Sequence, residues 1–173
     1  IIKRALVRRM ETVYHRKLFP ETGSVHQIQF SIMKDEVTIM LDTSGEGLHK
    51  RGWRKNANAA PIKETLAAGI VDIVRVKSDS TVVDPFCGSG TLLIESTLKA
   101  LNVAPGINRR FAMERWKECP ENTFRLAREE ALDLVKRDAG FMAYGFDIDP
   151  SCVELTRENA KKAGVLKKIK VEQ

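Results

Sequence analysis

Over the first fifteen residues the apolar positions Ile2, Leu6, Met10 and Val13 recur every three or four places, with Lys3, Arg4, Arg8 and Glu11 elsewhere. That recurrence predicts an amphipathic helix. After the turn signal "PETG" the period changes to two. In "VHQIQFSIM" His26, Ile28, Phe30 and Ile32 share one face and Gln27, Gln29 and Ser31 the other; "KDE" turns the chain, and "VTIMLD" sets Val37, Ile39 and Leu41 on one side. A helix plus a hairpin is therefore expected over residues 1 to 42.

The next stretch, "DTSGEGLHKRGWRKNANAA", combines small residues, glycines and cations, as an exposed connector does, and the domain boundary is placed there. "PIKETLAAGIVDIV" then predicts a helix with Pro61 in its first turn and Ile62, Leu66, Ile70, Ile73 and Val74 as its apolar stripe. From residue 81 strand and helix patterns alternate: "TVVD", "GTLLIESTLKAL", "NTFRLAREEALDLVKRDA", "FMAYGFD", "SCVELTRENAKKAG" and "KIKVEQ". The run "FMAYGFD" suits a central parallel strand. Ser151 and Glu154 stand at capping-box spacing, and Gly164 marks a helix end. An α/β doubly wound unit is implied, with the last strand barely begun at Gln173.

Composition narrows the class. With 173 residues, 43% of them hydrophobic and 30% charged, the chain can bury one good core and a small accessory unit. No apolar run approaches the roughly 18 residues of a membrane span, so a cytoplasmic setting is expected. Cys87, Cys119 and Cys152 are too far apart for zinc-type pairs, and no metal site is expected. A net charge of +6 favours an anionic partner such as nucleic acid.

The candidate chemistry lies in "DPFCGSGTLLIE", at the end of a predicted strand and the start of a helix. A phosphate-cradling loop would need a lysine after its second glycine, and Gly90 is followed by Thr91. The dinucleotide fingerprint fits Gly88 and Gly90 but finds Leu93 in place of its third glycine, which weakens that reading. S-adenosylmethionine has no phosphate; it needs close backbone approach, acceptors for an ammonium group and a carboxylate for two ribose hydroxyls. Asp84 can serve the ammonium. Asp147, at the end of the next recognisable strand, can serve the ribose, with Ile148 beside it to pack on adenine. The two carboxylates have a competing reading as turn or loop residues. Cys87 invites a nucleophile reading, but no histidine lies near it in sequence, and a small side chain tolerated in a tight turn is the simpler expectation.

The stretches "LHKRGWR", "APIKETLAAGIV", "DPFCGSGTLLIES", "NVAPGINRRF" and "GFDIDPSCVELTRENAKKAGV" occur in an order that resembles the THUMP-domain RNA methyltransferases, in particular those similar to the bacterial 23S rRNA guanine-N2 enzymes. The resemblance implies that residues 1–48 are the C-terminal part of a THUMP-like α+β RNA-binding domain. Residues 49–173 would be the N-terminal half of a Rossmann-like methyltransferase domain with an incomplete sheet. It implies methyl transfer from S-adenosylmethionine to guanine N2 in ribosomal RNA. By its motifs Asp84, Phe86, Cys87, Gly88, Ser89, Gly90 and Thr91 bind cofactor, as do Asp147 and Ile148, while Lys63 and Thr65 line the methionine end.

The family's (N/D)-P-P-(Y/F) motif, which would grip the target amine, does not occur among these residues, so no catalytic residue is assigned and activity of this chain alone is not expected. Lys50, Arg51, Arg54 and Lys55 flank Trp53, an arrangement able to contact phosphates while the indole stacks on a base. Alternatively Trp53 packs between domains and the charges form a solvated face. Arg109 and Arg110 extend the expected RNA surface. Two alternatives stay open: a non-catalytic RNA-binding module, and methylation of another RNA amine such as adenine N6. The oligomeric state is left undetermined.

Overall fold

The hairpin forms in the register that the alternation predicts. The computed structural model describes residues 1–54 and 61–173; it has helix α1 at Ile2–Tyr14, strand β1 at Gln27–Met33 and strand β2 at Glu36–Asp42. Lys34 and Asp35 make the turn, both at positive φ as a two-residue type I′ connection requires. Ile28 pairs with Leu41, Phe30 with Ile39 and Ile32 with Val37, so six apolar side chains share one face. That face stays exposed, and no residue of α1 is buried.

The second unit comprises α2 (Glu64–Ile73), β3 (Thr81–Asp84), α3 (Thr91–Ala100), α4 (Thr123–Asp133), β4 (Met142–Phe146), α5 (Pro150–Lys162) and β5 (Ile169–Glu172). Strands β3, β4 and β5 lie parallel in that order, with Asp84 beside Gly145 and Phe146 beside Glu172. Parallel neighbours need crossovers, which α3 and α5 supply. Both helices pack on one face of the sheet, where Leu93, Ile94, Leu98 and Val153 meet Ala143, Ile169 and Val171. The α/β expectation holds. Among the described residues, however, the sheet is covered by helices on one face only, so the second layer of a doubly wound unit is not seen here.

Three local expectations are corrected. Helix α2 begins at Glu64, with Lys63 extended at φ −67°, ψ 140° as its N-cap, so Pro61 and Ile62 precede the helix. The Ile62 carbonyl is held by the Arg54 guanidinium at 3.1 Å. The buried face of α2 is also not the expected stripe. It is Glu64, Ala67 and Val71, while Leu66 and Ile73 are 59% and 81% exposed. Small Ala67 lets α2 lie close on α3, and close approach selects the face here over side-chain bulk. Finally, α5 is capped by Asp149, whose carboxylate accepts from the Ser151 backbone N–H at 2.8 Å, with Pro150 in the first turn. Proline suits that first position, which moves the cap two residues ahead of Ser151.

The two units meet through a short segment after α3. Trp116 Nε1 donates to the Val25 carbonyl at 3.0 Å, and its ring stacks on His26 at 4.5 Å. Met113 and Ala112 backbone N–H groups donate to Thr43 and Ser44.

Leu93 is 0% exposed at the centre of the core, so Leu93→Ala should lower the unfolding free energy by about 2–5 kcal/mol. Leu66→Ala, on the exposed side of α2, should change it by less than about 0.5 kcal/mol. Urea midpoints of the two variants measure the contrast; the reverse order would refute the assigned face.

Candidate cofactor site

Because β3 and β4 are adjacent and parallel, their C-terminal ends bring Asp84 and Asp147 to the same edge of the sheet. Between them runs the glycine loop. Asp84 Oδ1 accepts from the Phe86 backbone N–H at 3.1 Å, which turns the chain out of the strand. The Cys87 N–H then donates to the Phe146 carbonyl at 2.9 Å, fastening the loop to the end of β4. Asp147 does the same from its side. Its Oδ2 accepts from the Gly88 N–H at 2.9 Å and its Oδ1 from the Asp149 N–H at 3.0 Å.

Gly88 and Gly90 sit at φ +55° and +78°, in the region that favours glycine. A Cβ on Gly90 would also stand 2.5 Å from Thr156 Cγ2. Thr156 and Asn159, one turn apart on α5, brace the loop from below: Thr156 Oγ1 donates to the Gly88 carbonyl at 2.9 Å and Asn159 Nδ2 to the Ser89 carbonyl at 3.1 Å. Both are fully buried. Sequence reading overlooked them, although two polar residues within the buried stripe of Cys152, Val153 and Ala160 were the signal.

From the other side the Arg54 guanidinium donates to Thr91 Oγ1 at the start of α3, and Thr91 Oγ1 lies 3.3 Å from Ser89 Oγ. Arg54 Nε is 3.1 Å from Glu64 Oε1, an ion pair whose N–H is not aligned as a hydrogen bond. Of the α2 segment, it is thus Arg54's partner Glu64 that connects to the loop. Lys63 and Thr65 are exposed at the start of α2 and make no hydrogen bond to the loop among the described residues.

Two large apolar side chains stand at the mouth without packing: Phe86 is 87% and Ile148 91% exposed. They flank Asp84 and Asp147 in sequence. Cys87, in contrast, is buried, and burial raises its thiol pKa against the weaker opposing effect of a Thr156 hydrogen bond, with the Asp84 and Asp147 carboxylates adding to the rise. A thiol held protonated is a poor nucleophile. Its small side chain instead fits against Gly145, where an added Cβ would lie 3.2 Å from the sulfur.

The expected RNA surface divides. Trp53 is 3% exposed within the core, with the Arg54 guanidinium 5.3 Å from its ring centroid, so it has no face on which a base can stack. Arg51 is equally enclosed and paired with Glu95 at 3.3 Å. Arg109, 7% exposed, donates to the carbonyls of Ser44, Glu46 and Gly47. These three residues, with Arg54, hold the connector in place; the base-stacking role expected of Trp53 is corrected by burial, and Arg51 and Arg109 are engaged by partners within the protein. Lys50 and Arg110 are exposed. Lys55 lies outside the described residues. No described helix is long and apolar enough to cross a membrane, and no group of three or more metal-ligating side chains occurs among the described residues.

A parallel α/β unit whose first strand ends in an acidic, lysine-free glycine loop, hydrogen-bonded to a carboxylate at the end of the second, has the build of a methyltransferase domain. Comparison agrees: residues 51–173 match the family described as "RMKL-like, methyltransferase domain", and the chain belongs to that family. YpsC of Bacillus subtilis, provisionally named as an RNA methyltransferase, is 40% identical over 95% of this chain and 43% of its own length. The ribosomal RNA large subunit methyltransferase K/L of Psychromonas ingrahamii is 38% identical over 95% of this chain and 22% of that protein. The chain therefore spans less than half the length of these relatives. Among solved structures, a Listeria monocytogenes protein described as a predicted N6-adenine-specific DNA methylase superposes with a TM-score of 0.92 at 44% identity, over 99% of this chain and 46% of the other. SMU.472, assigned as a methyltransferase and complexed with SAH, superposes with a TM-score of 0.89 at 38% identity, over 99% and 45%.

In the folded protein at pH 8 a disulfide reagent should label half-buried Cys119 well before Cys87. Peptide mapping of the labelled thiols reads the order, and fast labelling of Cys87 would contradict the buried, protonated assignment.

Proposed function

We propose that the protein transfers a methyl group from S-adenosylmethionine to the exocyclic N2 of a guanine in ribosomal RNA, in a cytoplasmic setting. In this reading residues 49–173 hold the cofactor and residues 1–48 belong to a THUMP-like RNA-binding unit. The observation that carries it is the Asp147 carboxylate bound to the Gly88 N–H, which joins the glycine loop and the acidic strand end into one edge.

The residues present fit the cofactor. Two glycines at positive φ keep the loop free of side chains where the ligand approaches. Asp147 accepts the ribose hydroxyls, while Ile148 and Phe86 are exposed to pack on adenine. Asp84 takes the ammonium group, and Cys87, Ser89 and Thr91 shape the turn. Lys63 and Thr65, at the start of α2, are assigned to the methionine end. S-adenosylmethionine supplies an electrophilic methyl group on sulfur. A guanine amine is a weak nucleophile because its lone pair is delocalised, so it needs acceptors that orient it and take its proton. Among these residues the contribution to catalysis is to bind and orient the cofactor. The likeness to rRNA methyltransferases K/L supports ribosomal RNA as the substrate, and guanine N2 as the methylated amine rests on the resemblance of the sequence motifs alone. Adenine N6 is the second reading, favoured by the likeness to the Listeria protein.

Calorimetric titration with S-adenosylhomocysteine tests the cofactor assignment. Wild-type protein should bind, and Asp147→Asn should weaken binding about tenfold or more, as loss of a charged hydrogen-bond acceptor does. Gly90→Ala should do the same through backbone strain and its clash with Thr156. NADH fluorescence should not be enhanced. A folded protein giving no heat with S-adenosylhomocysteine would favour the non-catalytic RNA-binding reading instead.

A further inference from the structure

We propose that the cleft between the helix-hairpin unit and the methyltransferase unit receives single-stranded RNA, and that Arg110 and Arg115 grip its phosphates at the outer end. The inference rests on the methyl-transfer reading for its direction, since it places the strand beside the cofactor loop.

The cleft has a volume of about 1100 Å³. Gly23 and Ser44 border it on the hairpin side, Lys50 and Arg54 on the connector, and Arg110 and Arg115 on the segment after α3. Seven of its lining residues are Lys or Arg and two are Glu. Most of these charges are already committed. Arg51 pairs with Glu95, Arg54 with Glu64 and Lys50 with Glu46, and Arg109 is spent on backbone carbonyls. Both lining glutamates are thus neutralised and do not repel an anion. Lys63, Arg110 and Arg115 differ: all three are exposed, and none of their side chains makes a hydrogen bond or ion pair among the described residues; Lys63 lies on the inner side, at the start of α2, and the two arginines on the segment after α3. An unpaired guanidinium pair over a cleft whose acids are neutralised fits a polyanion.

Size selects the form of that polyanion. Pockets of about 300–1,000 Å³ hold one drug-sized ligand, so this cleft takes a few nucleotides of one strand and is too small to engulf a duplex. Single strands are also the form in which RNA bases are free to be presented to a pocket. The inner wall leads to the reaction. Arg54 and Glu64 line the cleft, and the Arg54 guanidinium contacts Thr91 of the cofactor loop. A strand held by Arg110 and Arg115 therefore runs toward the loop.

Fluorescence anisotropy with a short labelled RNA oligonucleotide, alone and in a blunt duplex with its complement, tests the proposal. The single strand should bind about tenfold or more tightly than the duplex. Arg110→Glu and Arg115→Glu should each weaken it several-fold and reduce the salt slope by about 1. Arg115→Lys should restore most of the affinity. Lys167→Glu, at the opposite ends of the strands, should leave binding unchanged. S-adenosylhomocysteine affinity, measured on the same variants, should stay at the wild-type value, which separates this proposal from the cofactor assignment: absent cofactor binding with intact RNA binding overturns only the latter. Duplex binding as tight as the single strand, or wild-type RNA affinity in both charge-reversed variants, would overturn the cleft assignment.

Discussion

The carboxylate of Asp147 has two backbone N–H groups to satisfy it, one from Gly88 and one from Asp149. Everything about the site follows from that pair of bonds. The second is local to the turn after β4; the first exists because β3 and β4 are parallel neighbours, which puts the loop leaving one strand against the residue that follows the other. Parallel pairing in turn requires a crossover helix, and α3 begins directly at the loop, so the turn has no freedom to relax. Its carbonyls are met by Thr156 and Asn159 from α5 and its first helical hydroxyl by Arg54 from the connector. A loop held from three directions keeps its shape before any ligand arrives, which lowers the ordering cost of binding.

The arginines of the connector look at first like a nucleic-acid surface. Burial gives them another task. Arg51 and Glu95 form an enclosed pair, and burial raises the Glu95 pKa against the attraction of Arg51. Such pairs add little net stability, since desolvation offsets most of the attraction, but losing one partner leaves a costly buried charge. Their effect is to fix geometry. Arg109 does likewise by closing over the carbonyls of Ser44, Glu46 and Gly47, the first and last of which also accept backbone N–H groups from Ala112 and Lys50.

Much of this architecture was legible in the chain because it depends on period and on local turn chemistry. The alternation of Ile28, Phe30 and Ile32 against Val37, Ile39 and Leu41 sets the hairpin register. Gly164, at φ +75°, ends α5 where a glycine stop was expected. That Asp84 ends one strand and Asp147 directly follows the next followed from strand-helix alternation. What was not legible depends on contacts between distant residues. The helical period of α2 favoured Leu66 and Ile70, but Ala67 faces α3 because close packing rewards a small side chain there. Trp53 reads equally well as an exposed stacking residue or a core residue until α3 is placed beside it. Arg51 reads as a phosphate ligand because its partner Glu95 is 44 residues away.

The same contacts link the two ends of the cleft. The connector carries Lys50 at the opening, Arg51 and Trp53 in the core, and Arg54 on the first turn of α3, all within five consecutive residues. Residues this close in sequence cannot shift independently when two of them are buried. The position of the cations facing the cleft is therefore set by the same packing that shapes the glycine loop, through Trp53 against the core and Arg54 against Thr91. A cation at the start of a helix opposes the helix dipole, and the Glu64 carboxylate 3.1 Å from Arg54 offsets that cost. Substituting Glu64 would leave Arg54 unbalanced beside the loop. The glutamate that opens α2 thus belongs to the physical design of the site although it touches neither glycine.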